Sequence, residues 1–437
     1  MSLQATIDDA LAETPPGRVV WVALSGGLDS SLLLSLAVAA CRRHPRPLHA
    51  LHVNHGLQAA ADHFEMHCRR LASRLGVPLF VERVTVDRDA GLGLEGAARQ
   101  SRYAAFARRV APGETLWLGQ HRDDQAETFL LAALRGSGVR GLAGMPPGRE
   151  WQGRRLERPL LACSRAELEA EAERLGLRWI EDPSNADEAL DRNFLRRMVM
   201  PLLTQRWSHA AKSLANSARH AAEAEALIAE QAAEDLAAQG GDPACLASAG
   251  LVRLSPARRR ALLRHACHRL GLSTPPEARL EALLTQLGAR RDARARVAWD
   301  GAEARVWRDH LYLLPSRQPL APTWQVEWNG ASPLATPWGA VDVTLVRQDG
   351  EQARLRLTPR QGGESLRLPR RGRRDLKRLL QETDVPPWMR ERLLVAWHEG
   401  TPVAALLPER RWVAVAVGWR AQPGEHDPTC PVSPAPG

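Results

Sequence analysis

Two features are nearly missing from this sequence: lysine, and cysteine pairs at CxxC spacing. Lys212 and Lys377 are its two lysines, so 57 of the 59 lysine and arginine side chains are arginine. The cysteines are dispersed, at positions 41, 68, 163, 245, 267 and 430. Dispersed cysteines disfavour a metal site or an iron–sulfur cluster, and we expect reduced thiols.

Membrane and export signals are also missing. No uninterrupted apolar stretch approaches the ~18 residues that a membrane-spanning helix requires. The first eighteen residues contain Asp8, Asp9 and Glu13, and the first basic residue is Arg18. A secretory signal peptide has the opposite pattern, a basic start. We therefore expect a cytoplasmic protein with no membrane contact.

The charge balance favours a polyanionic partner. The 59 Lys and Arg against 50 Asp and Glu give a net charge of +9 and a pI near 10, which is typical of nucleic-acid-binding proteins. Because the arginine excess also fits the codon bias of a GC-rich genome, composition leaves nucleic-acid binding open. The length of 437 residues indicates roughly two to four domains.

The most informative stretch lies near the N-terminus. The apolar run at 19–24 predicts a buried parallel strand, Ser-Gly-Gly follows at 25–27, and Leu28 opens an apolar stretch at helical spacing. A glycine turn between strand and helix presents backbone N–H groups and the helix dipole to a phosphate. Asp29 would repel that phosphate unless Mg²⁺ bridges the two groups. The loop has no lysine and so is not of the Walker type.

Strand and helix patterns alternate over the first 120 residues. Strands are predicted at 48–53, 78–84 and 115–119, and helices at 59–75 and 95–111. This alternation predicts an α/β fold with a mostly parallel, doubly wound sheet. Ligands of such sheets bind beyond the carboxyl ends of the strands. The glycine loop, His55 and the segment after residue 119 should therefore converge.

The segment after residue 119 opens a helix with acidic residues. Asp124 and Glu127 are three residues apart, so they share one helix face. Acidic residues in a first helical turn are also ordinary caps. The sequence leaves both interpretations open: helix capping, or binding of an ammonium ion or a metal in the predicted pocket.

Two arginine groups are candidates for RNA contact. Arg192 and Arg196 lie one turn apart on a predicted helix, and eight Arg or Lys fall in the 19 positions from Arg360 to Arg378. The second group precedes Trp388, which we expect to be exposed. Each group fits contact with RNA phosphates, and each also fits a solvated surface.

The sequence beyond residue 206 is less distinctive. Its patterns predict helices at 208–239, 256–270 and 276–287, a hairpin at 296–314 across Asp300-Gly301, and strands at 324–328 and 341–347. We divide the chain into an α/β domain at 1–205, a helical middle domain at 206–318, a small basic α+β domain at 319–420 and a disordered tail at 421–437.

Motifs along nearly the whole chain resemble those of one family of PP-loop ATP pyrophosphatases, the tRNA(Ile)-lysidine synthetases. In chain order they are SGGLDS (25–30), HVNHGL (52–57), LEGAARQSRY (94–103), HRDDQAET (121–128), RPLL (158–161), EDPSNADEALDRN (181–193), RQGGESLRLP (360–369) and VPPWMR (385–390). The first motif alone indicates the superfamily, and the others indicate the family.

The resemblance implies a ligase that uses ATP. The family joins L-lysine to the wobble cytidine of the CAU anticodon of a minor isoleucine tRNA, through an adenylated cytidine, and releases AMP and diphosphate. The product, lysidine, makes the tRNA read AUA as isoleucine. ATP is the implied cosubstrate, with Mg²⁺ at Asp29. The sequence leaves the oligomeric state open, with a homodimer as one option.

The resemblance also implies roles for individual residues. Catalytic roles are expected for Asp29, Asp124, Glu127 and Arg99, and lysine binding for Asp124 and Glu127. The residues expected at ATP are Ser25, Gly26, Gly27, Leu28, Asp29, Ser30 and His55. The residues expected at tRNA are Arg192, Arg196, Arg370, Arg371, Arg373 and Arg374.

Rival functions stay open at this level. A tRNA thiolase of the same superfamily would need reactive or cluster-binding cysteines, usually as CxxC. A glutamine-dependent synthetase would need a glutamine-hydrolysing domain, and we expect none ahead of a loop that begins within the first thirty residues. A non-catalytic RNA-binding protein would not be expected to keep Asp29 and HRDDQAET intact.

Overall fold

The computed structural model describes residues 2–56, 61–86, 93–287, 296–351, 353–383, 385–407 and 411–423. The chain divides into two compact units, Met1–Leu227 and Ile228–Gly437, and each is described by itself. Within the described ranges, every helix is too short or too polar to span a bilayer. The predicted tail from residue 424 onward and the start of the second predicted helix, at 59–60, lie outside these ranges.

The first unit begins with the predicted alternation. Its helices are α1 (Leu3–Ala12), α2 (Leu28–Cys41), α3 (Ala61–Leu75), α4 (Gly93–Arg109), α5 (Arg122–Leu134), α6 (Val139–Leu142), α7 (Arg165–Arg174), α8 (Asp191–Phe194) and α9 (Met200–Arg206). Its strands are β1 (Val20–Ala23), β2 (Leu48–Asn54), β3 (Leu79–Arg83), β4 (Thr115–Trp117), β5 (Gly148–Trp151) and β6 (Arg154–Glu157). A 3-10 turn at Pro183–Ala186 precedes α8, and a π-helical turn at Leu195–Val199 joins α8 to α9.

One sheet organises this unit. Its strand order is β3-β2-β1-β4-β6-β5; β5 is antiparallel to β6 at one edge, and the other neighbours are parallel. The chain continues to one side of β1 through β2 and to the other through β4. The crevice at the carboxyl ends of β1 and β4 is thus the topological switch point, where such sheets bind ligands. The predicted parallel α/β sheet is confirmed.

Helices cover both faces of the sheet because its central strands are apolar on both faces. Val20 and Val22 of β1 pack with leucines of α2 on one face, and Trp21 packs with Phe106 of α4 on the other. Full burial of each such side chain contributes about 1.5–3 kcal/mol to the free energy of unfolding. This core fixes the strand ends from which the loops of the site emerge.

A buried ion cluster holds the end of β2. Glu65 of α3 accepts hydrogen bonds from Asn54 Nδ2 (3.1 Å) and from the guanidinium groups of Arg69 and Arg83. Although burial alone would raise it, these bonds lower the pKa of Glu65 from 4.5 to about 2. Asn54 Oδ1 in turn accepts from the N–H of Gly56 at 2.9 Å. The cluster therefore positions the backbone around His55.

The second unit combines helices with antiparallel strands, and α10 (Ala210–Ala237) runs across the boundary between the units. The later helices are α11 (Ser248–Arg253), α12 (Pro256–Arg269), α13 (Glu277–Gln286), α14 (Leu376–Glu382) and α15 (Pro387–Arg390). The strands are β7 (Cys245–Ala247), β8 (Arg296–Trp299), β9 (Ala302–Trp307), β10 (His310–Pro315), β11 (Val326–Trp328), β12 (Leu334–Thr336), β13 (Gly339–Val341), β14 (Val343–Arg347), β15 (Leu355–Pro359), β16 (Ser365–Leu368), β17 (Gly372–Asp375), β18 (Leu394–His398), β19 (Thr401–Leu407), β20 (Arg411–Val415) and β21 (Trp419–Pro423).

Its strands form two main sheets, ordered β7-β10-β9-β8 and β11-β15-β18-β19-β20, and three two-stranded ribbons, β12-β13, β14-β21 and β16-β17. The predicted turn at Asp300-Gly301 joins β8 to β9. A second tight turn joins β9 to β10, where Arg308 and Asp309 have φ of 46° and 62°. Both residues adopt the left-handed conformation that two-residue hairpin turns require.

Parts of the sequence-based description were incomplete or wrong. The segment predicted as a helical middle domain also contains a four-stranded sheet. Trp388 is 5% exposed and meets Trp307 and Tyr312 edge-on, so its predicted exposure was wrong, because an aromatic cluster covers it. Strand β21 runs past the predicted end of the last domain at residue 420 and pairs with β14. The domain boundaries at 205/206 and 318/319 stay predictions.

Candidate active site

The loop between β1 and α2 is held by its own serines. The backbone N–H of Ser25 donates to Ser30 Oγ at 3.1 Å, and the two hydroxyl oxygens lie 3.0 Å apart. Ser30 Oγ also donates to the carbonyl of Gly27 at 3.3 Å. Gly27 caps α2 without a side-chain hydrogen bond, so the first N–H groups of a 14-residue helix stay available to an anion.

Two glycines allow the close packing around this loop. Gly26 has a φ of +92°, and a Cβ there would lie 3.2 Å from Cys68 Sγ. A Cβ at Gly119, which follows β4, would lie 3.1 Å from backbone atoms of Asp29 and Ser30. A side chain at position 119 would therefore separate the loop after β4 from the loop after β1.

A cavity of about 950 Å³ opens at this switch point. Its size is within the range of small-molecule sites. The cavity is bounded by the ends of β1, β2 and β4 and by polar side chains of the surrounding helices and loops. The charged side chains and histidines in its lining are Asp29, His52, His55, Arg99, Arg102, Asp124, Arg165, Glu181, Asp182, Arg196 and Arg197.

His121 lies at the centre of the acidic side of the site. It is 1% exposed, and its ring nitrogens lie 3.8 Å from Asp29 Oδ1, 3.5 Å from Asp124 Oδ2 and 3.6 Å from Asp123 Oδ2. Burial alone would lower its pKa, but the neighbouring carboxylates of Asp123, Asp124 and Asp29 raise it, because they favour the charged form of the ring. Protonation of His121 would offset negative charge in this cluster.

Asp29 contributes a buried carboxylate oxygen to the site. Its Oδ1 has no hydrogen-bond partner among the described residues. Burial raises the pKa of Asp29, Asp124 adds to the increase, and His121 opposes it. A buried carboxylate oxygen without a partner is costly, and a hard cation bound together with phosphate oxygens would satisfy it.

The predicted lysine-binding carboxylates are joined by one arginine. Arg196 binds Glu127 through two bonds, Nε to Oε1 at 2.7 Å and Nη2 to Oε2 at 2.9 Å, and its Nη2 also reaches Asp124 Oδ1 at 2.8 Å. Burial alone would lower the pKa of Arg196, but pairing with Glu127 and Asp124 raises it. The structure therefore brings together three residues that the sequence had assigned to two different substrates.

Asp124 and Glu127 differ in their exposure to the cavity. Glu127 is 2% exposed and buried behind Arg196, and burial raises its pKa while Arg196 opposes the increase. Asp124 lines the cavity. Its Oδ2 also accepts the backbone N–H of His121 at 3.1 Å, so the capping interpretation is right for Asp124 and does not exclude a contact with substrate.

The comparisons with known proteins agree on one family. Residues 1–203 match the profile of a PP-loop domain, 246–312 that of a TilS substrate binding domain, and 355–424 that of a TilS substrate C-terminal domain. The chain is 47% identical to the tRNA(Ile)-lysidine synthase of Xanthomonas axonopodis pv. citri over 90% of each chain. The corresponding proteins of Alkalilimnicola ehrlichii and Pseudomonas syringae pv. tomato are 44% and 43% identical over 97% of each chain.

The chain belongs to the tRNA(Ile)-lysidine synthase family. This confirms the predicted family and the predicted enzyme class, a PP-loop enzyme that uses ATP. The cavity lies in the PP-loop domain that this family shares, and its lining includes residues of five of the quoted motifs.

Two of the three remaining predicted residues of the first unit line the cavity, and the third lies outside it. His55 and Arg99 line the cavity; burial lowers the pKa of His55, and the Arg99 guanidinium lies 5.1 Å from the ring centre of Tyr103. Arg192 does not belong to the lining: its Nη2 donates to Thr128 Oγ1 at 3.0 Å, and its Nε lies 3.7 Å from Glu127.

The predicted C-terminal arginines form a hairpin in the second unit. This arginine hairpin (residues 365–375) consists of β16 and β17 and carries Arg370, Arg371, Arg373 and Arg374, which are all exposed. Arg373 Nε donates to Ser365 Oγ at 2.7 Å, and Arg371 reaches Glu382 at 3.5 Å. The exposed guanidinium groups are available to a phosphate backbone.

Sequence reasoning did not single out several residues of the site in this tRNA(Ile)-lysidine synthase family member. His121 lies inside the quoted HRDDQAET motif, directly before α5, and that position was the available signal. Arg102, Arg165 and Arg197 also line the cavity. Arg102 lies inside the quoted LEGAARQSRY motif, whereas no sequence signal separates Arg165 and Arg197 from the many other arginines of the chain.

Proposed function

We propose that this protein joins L-lysine to the wobble cytidine of the CAU anticodon of a minor isoleucine tRNA. ATP first activates the base, and AMP and diphosphate leave. The observation that carries this proposal is the cavity at the switch point, where the glycine loop, Asp124 and several arginines converge in a chain of this family. The tRNA reads AUA as isoleucine once lysidine is formed.

The chemistry explains the need for ATP. The 2-oxo oxygen of cytosine is a poor leaving group, so it first attacks the α-phosphate of ATP, forming an adenylated base and releasing diphosphate. The ε-amine of lysine then attacks ring carbon 2 and displaces AMP. The amine must be neutral when it attacks, so a neighbouring base must accept its proton.

The loop after β1 is the proposed site for the ATP phosphates. The N–H groups at the start of α2 and the hydroxyls of Ser25 and Ser30 supply donors, and His55 borders the nucleotide. The described residues contain no cluster of three or more metal-ligating side chains. This fits Mg²⁺, which one or two carboxylates and substrate phosphates commonly hold. Asp29 would be its protein ligand, and Mg²⁺ when bound would offset phosphate charge.

Asp124 and Glu127 have separate parts in the proposed lysine site. Asp124 faces the cavity, where it can bind the ammonium group and accept its proton. Glu127 does not contact the substrate in this proposal. It positions Arg196, which also binds Asp124. Arg99 and Arg196, both in the cavity lining, would stabilise the negative charge that develops on the α-phosphate oxygens while the base is adenylated.

The tRNA is proposed to meet two basic regions, one in each unit. Arg196 lines the cavity, Arg192 supports its carboxylate partner, and the arginine hairpin offers phosphate contacts. A cytoplasmic location suits an enzyme whose substrates are tRNA, ATP and free lysine. The homodimer stays a prediction, because nothing in the single chain tests it.

The variant Asp29→Ala tests this function. We expect it to abolish diphosphate release and lysidine formation. Its melting temperature should stay within a few degrees of the parent, because the substitution removes a buried carboxylate oxygen that has no hydrogen bond and leaves His121 with Asp123 and Asp124. The measurements are diphosphate release with lysine and tRNA both present, nucleoside mass spectrometry of the tRNA, and a thermal melt.

Asp9→Ala is the matched control, since Asp9 is an exposed acid on α1. It should leave activity and melting temperature unchanged. Diphosphate release by the parent protein over many turnovers should require both lysine and tRNA, because lysine must displace AMP before the next cycle. Near-normal turnover by Asp29→Ala, or release over many turnovers that ignores either substrate, would contradict the proposal.

A further inference from the structure

The helical segment from Asp191 to Arg206 presents three different faces. Leu195 and Met200 are buried against the first unit. Arg192 and Arg196 bind the side chains of α5 described above. The third face carries apolar side chains, and the site described so far does not use it.

This third face is an exposed apolar stripe. Phe194, Met198 and Leu202 follow one another at intervals of four residues and are 47%, 46% and 66% exposed. Trp207, which ends α9, is 61% exposed. We call Phe194, Met198, Leu202 and Trp207 the outer stripe. The π-helical turn at Leu195–Val199 lies within it, and such turns are frequent at functional sites.

Arginines border the outer stripe. Asp191, three residues before Phe194, is the partner of Arg135 at 3.4 Å, and the Arg135 side chain is 68% exposed. Arg197 is 46% exposed and lies 3.6 Å from Glu188. Each of these two arginines is paired with an exposed acid. Because exposed ion pairs contribute little, phosphates of an anionic partner can replace these acids while its flat apolar faces contact the stripe.

The stripe adjoins the reaction cavity through Arg197. This residue lines the cavity, follows Phe194 by three positions and directly precedes Met198. Residues three positions apart are neighbours on a helix surface, so a ligand that extends from the cavity past Arg197 reaches the stripe.

We infer that the outer stripe binds the unpaired anticodon-loop nucleotides next to the reactive cytidine, by stacking a base on Phe194. This inference rests on the proposed function. A cytidine that enters the cavity leaves its neighbours unstacked at the mouth, and unstacked RNA bases commonly stack on aromatic side chains beside arginines that contact phosphates.

A second copy of the chain is the rival occupant. A stable interface covers about 800 Å² on each partner, more than four partly exposed side chains supply. A two-fold contact would also bring each arginine border close to its own copy. An RNA loop offers base faces to the apolar stripe and phosphates to the arginines beside it.

The test compares Phe194→Ala with Phe194→Trp in the full-length protein. The probe is an anticodon stem–loop with the CAU anticodon and 2-aminopurine directly 3′ of the wobble cytidine. Loss of a base–aromatic stack should weaken binding roughly tenfold or more, and the fluorescence quenching of the bound probe should disappear. Phe194→Trp should retain both, because indole also offers a stacking face. Affinities for ATP and lysine should not change.

Leu175→Ala is the matched control, since Leu175 is an exposed apolar residue of the same unit; it should change nothing. Equal probe binding and quenching in Phe194→Ala and the parent would overturn the inference. A smaller assembly in sedimentation with unchanged probe binding would instead assign the stripe to a second copy, and would also overturn it. A parent protein that forms no lysidine would overturn the proposed function, whereas probe binding is measured without the reaction.

Discussion

Two groups of arginines, one in each unit, are each clustered in the sequence, and both were predicted to bind tRNA. They are Arg192 and Arg196 in the first unit and the four exposed arginines of the hairpin in the other. In the structure, Arg196 is surrounded by carboxylates, with three hydrogen bonds of 2.7–2.9 Å to Glu127 and Asp124. The hairpin arginines are exposed, and the one hydrogen bond to an acidic residue that we observe among the described residues, Arg371 with Glu382, is 3.5 Å long.

The comparison shows that arginine count and spacing do not distinguish a structural cation from an RNA-binding one. The group that each guanidinium contacts makes this distinction. The half-buried guanidinium of Arg196, which neutralises the buried carboxylate of Glu127, supports the fold, because its removal would leave that carboxylate without its short hydrogen bonds. An exposed guanidinium contributes little to folding and keeps its donors for a phosphate. Three experiments test whether this distinction holds.

The largest effect on the fold is expected from Arg196→Ala. The substitution removes the hydrogen bonds of Arg196 to Glu127 and Asp124 and leaves the buried Glu127 carboxylate with Arg192 at 3.7 Å. Loss of one partner of a buried pair costs about 3–5 kcal/mol, and Arg192 should offset part of this cost. Urea unfolding measures this change in the free energy of unfolding. Activity should also fall, because Arg196 belongs to the reaction site.

The matched control is Arg174→Ala, which removes the surface pair with Glu171 at 2.7 Å. Because solvent screens such pairs, we expect a much smaller change in the free energy of unfolding. Similar costs for the two variants would remove the contrast between buried and exposed arginines.

An intermediate effect is expected from Glu127→Gln. The substitution removes the charge that holds Arg196, so Asp124 alone is left to pair with it and binds the lysine ammonium less well. A hydrogen bond to a charged group contributes about 1.5–3 kcal/mol, or roughly tenfold to a hundredfold in affinity. Steady-state kinetics should therefore show a higher lysine requirement and a nearly unchanged ATP requirement.

Equal changes in both requirements would indicate that Glu127 supports the site as a whole and does not act on lysine. The variant Glu167→Gln is a control. Glu167 forms the capping box of α7 with Ser164, and we expect no change in either requirement.

The smallest effect on the fold is expected from the hairpin. Replacing Arg370, Arg371, Arg373 and Arg374 by alanine should change the free energy of unfolding by at most about 0.5 kcal/mol per site. The substitution should weaken tRNA binding and lower the slope of log affinity against log salt by up to about 0.7–0.9 per lost phosphate contact. Filter binding across a salt series measures the slope, and ATP binding should be unaffected.

Replacing four exposed arginines elsewhere, Arg42, Arg43, Arg70 and Arg74, gives a variant of the same net charge. These residues lie outside the proposed tRNA surfaces. A salt slope that falls equally in both variants would attribute the effect to net charge, and an unchanged slope in the hairpin variant would reject phosphate binding there.

Local sequence patterns were enough to predict much of the first unit. Alternating apolar strands and helices predicted its parallel sheet because burial on both faces leaves a continuous apolar run in each central strand. The glycine turn between β1 and α2 was predicted because an apolar strand, two glycines and a helix start follow one another in the sequence; its role in phosphate binding, and that of Asp29, stay predictions. Ser164 and Glu167 predicted the start of α7, since a capping box is a contact within one turn.

Only the tertiary structure decided which charged groups meet. The sequence separates Arg196 from Glu127 by 69 positions, and no local pattern predicts that pair. The place of His121 among three carboxylates depends on Gly119, which lets the loops after β1 and β4 touch. The burial of Trp388 depends on Trp307 and Tyr312. Periodicity specifies which face of an element is apolar, whereas the partner of a charged or aromatic side chain is set by the elements that pack beside it.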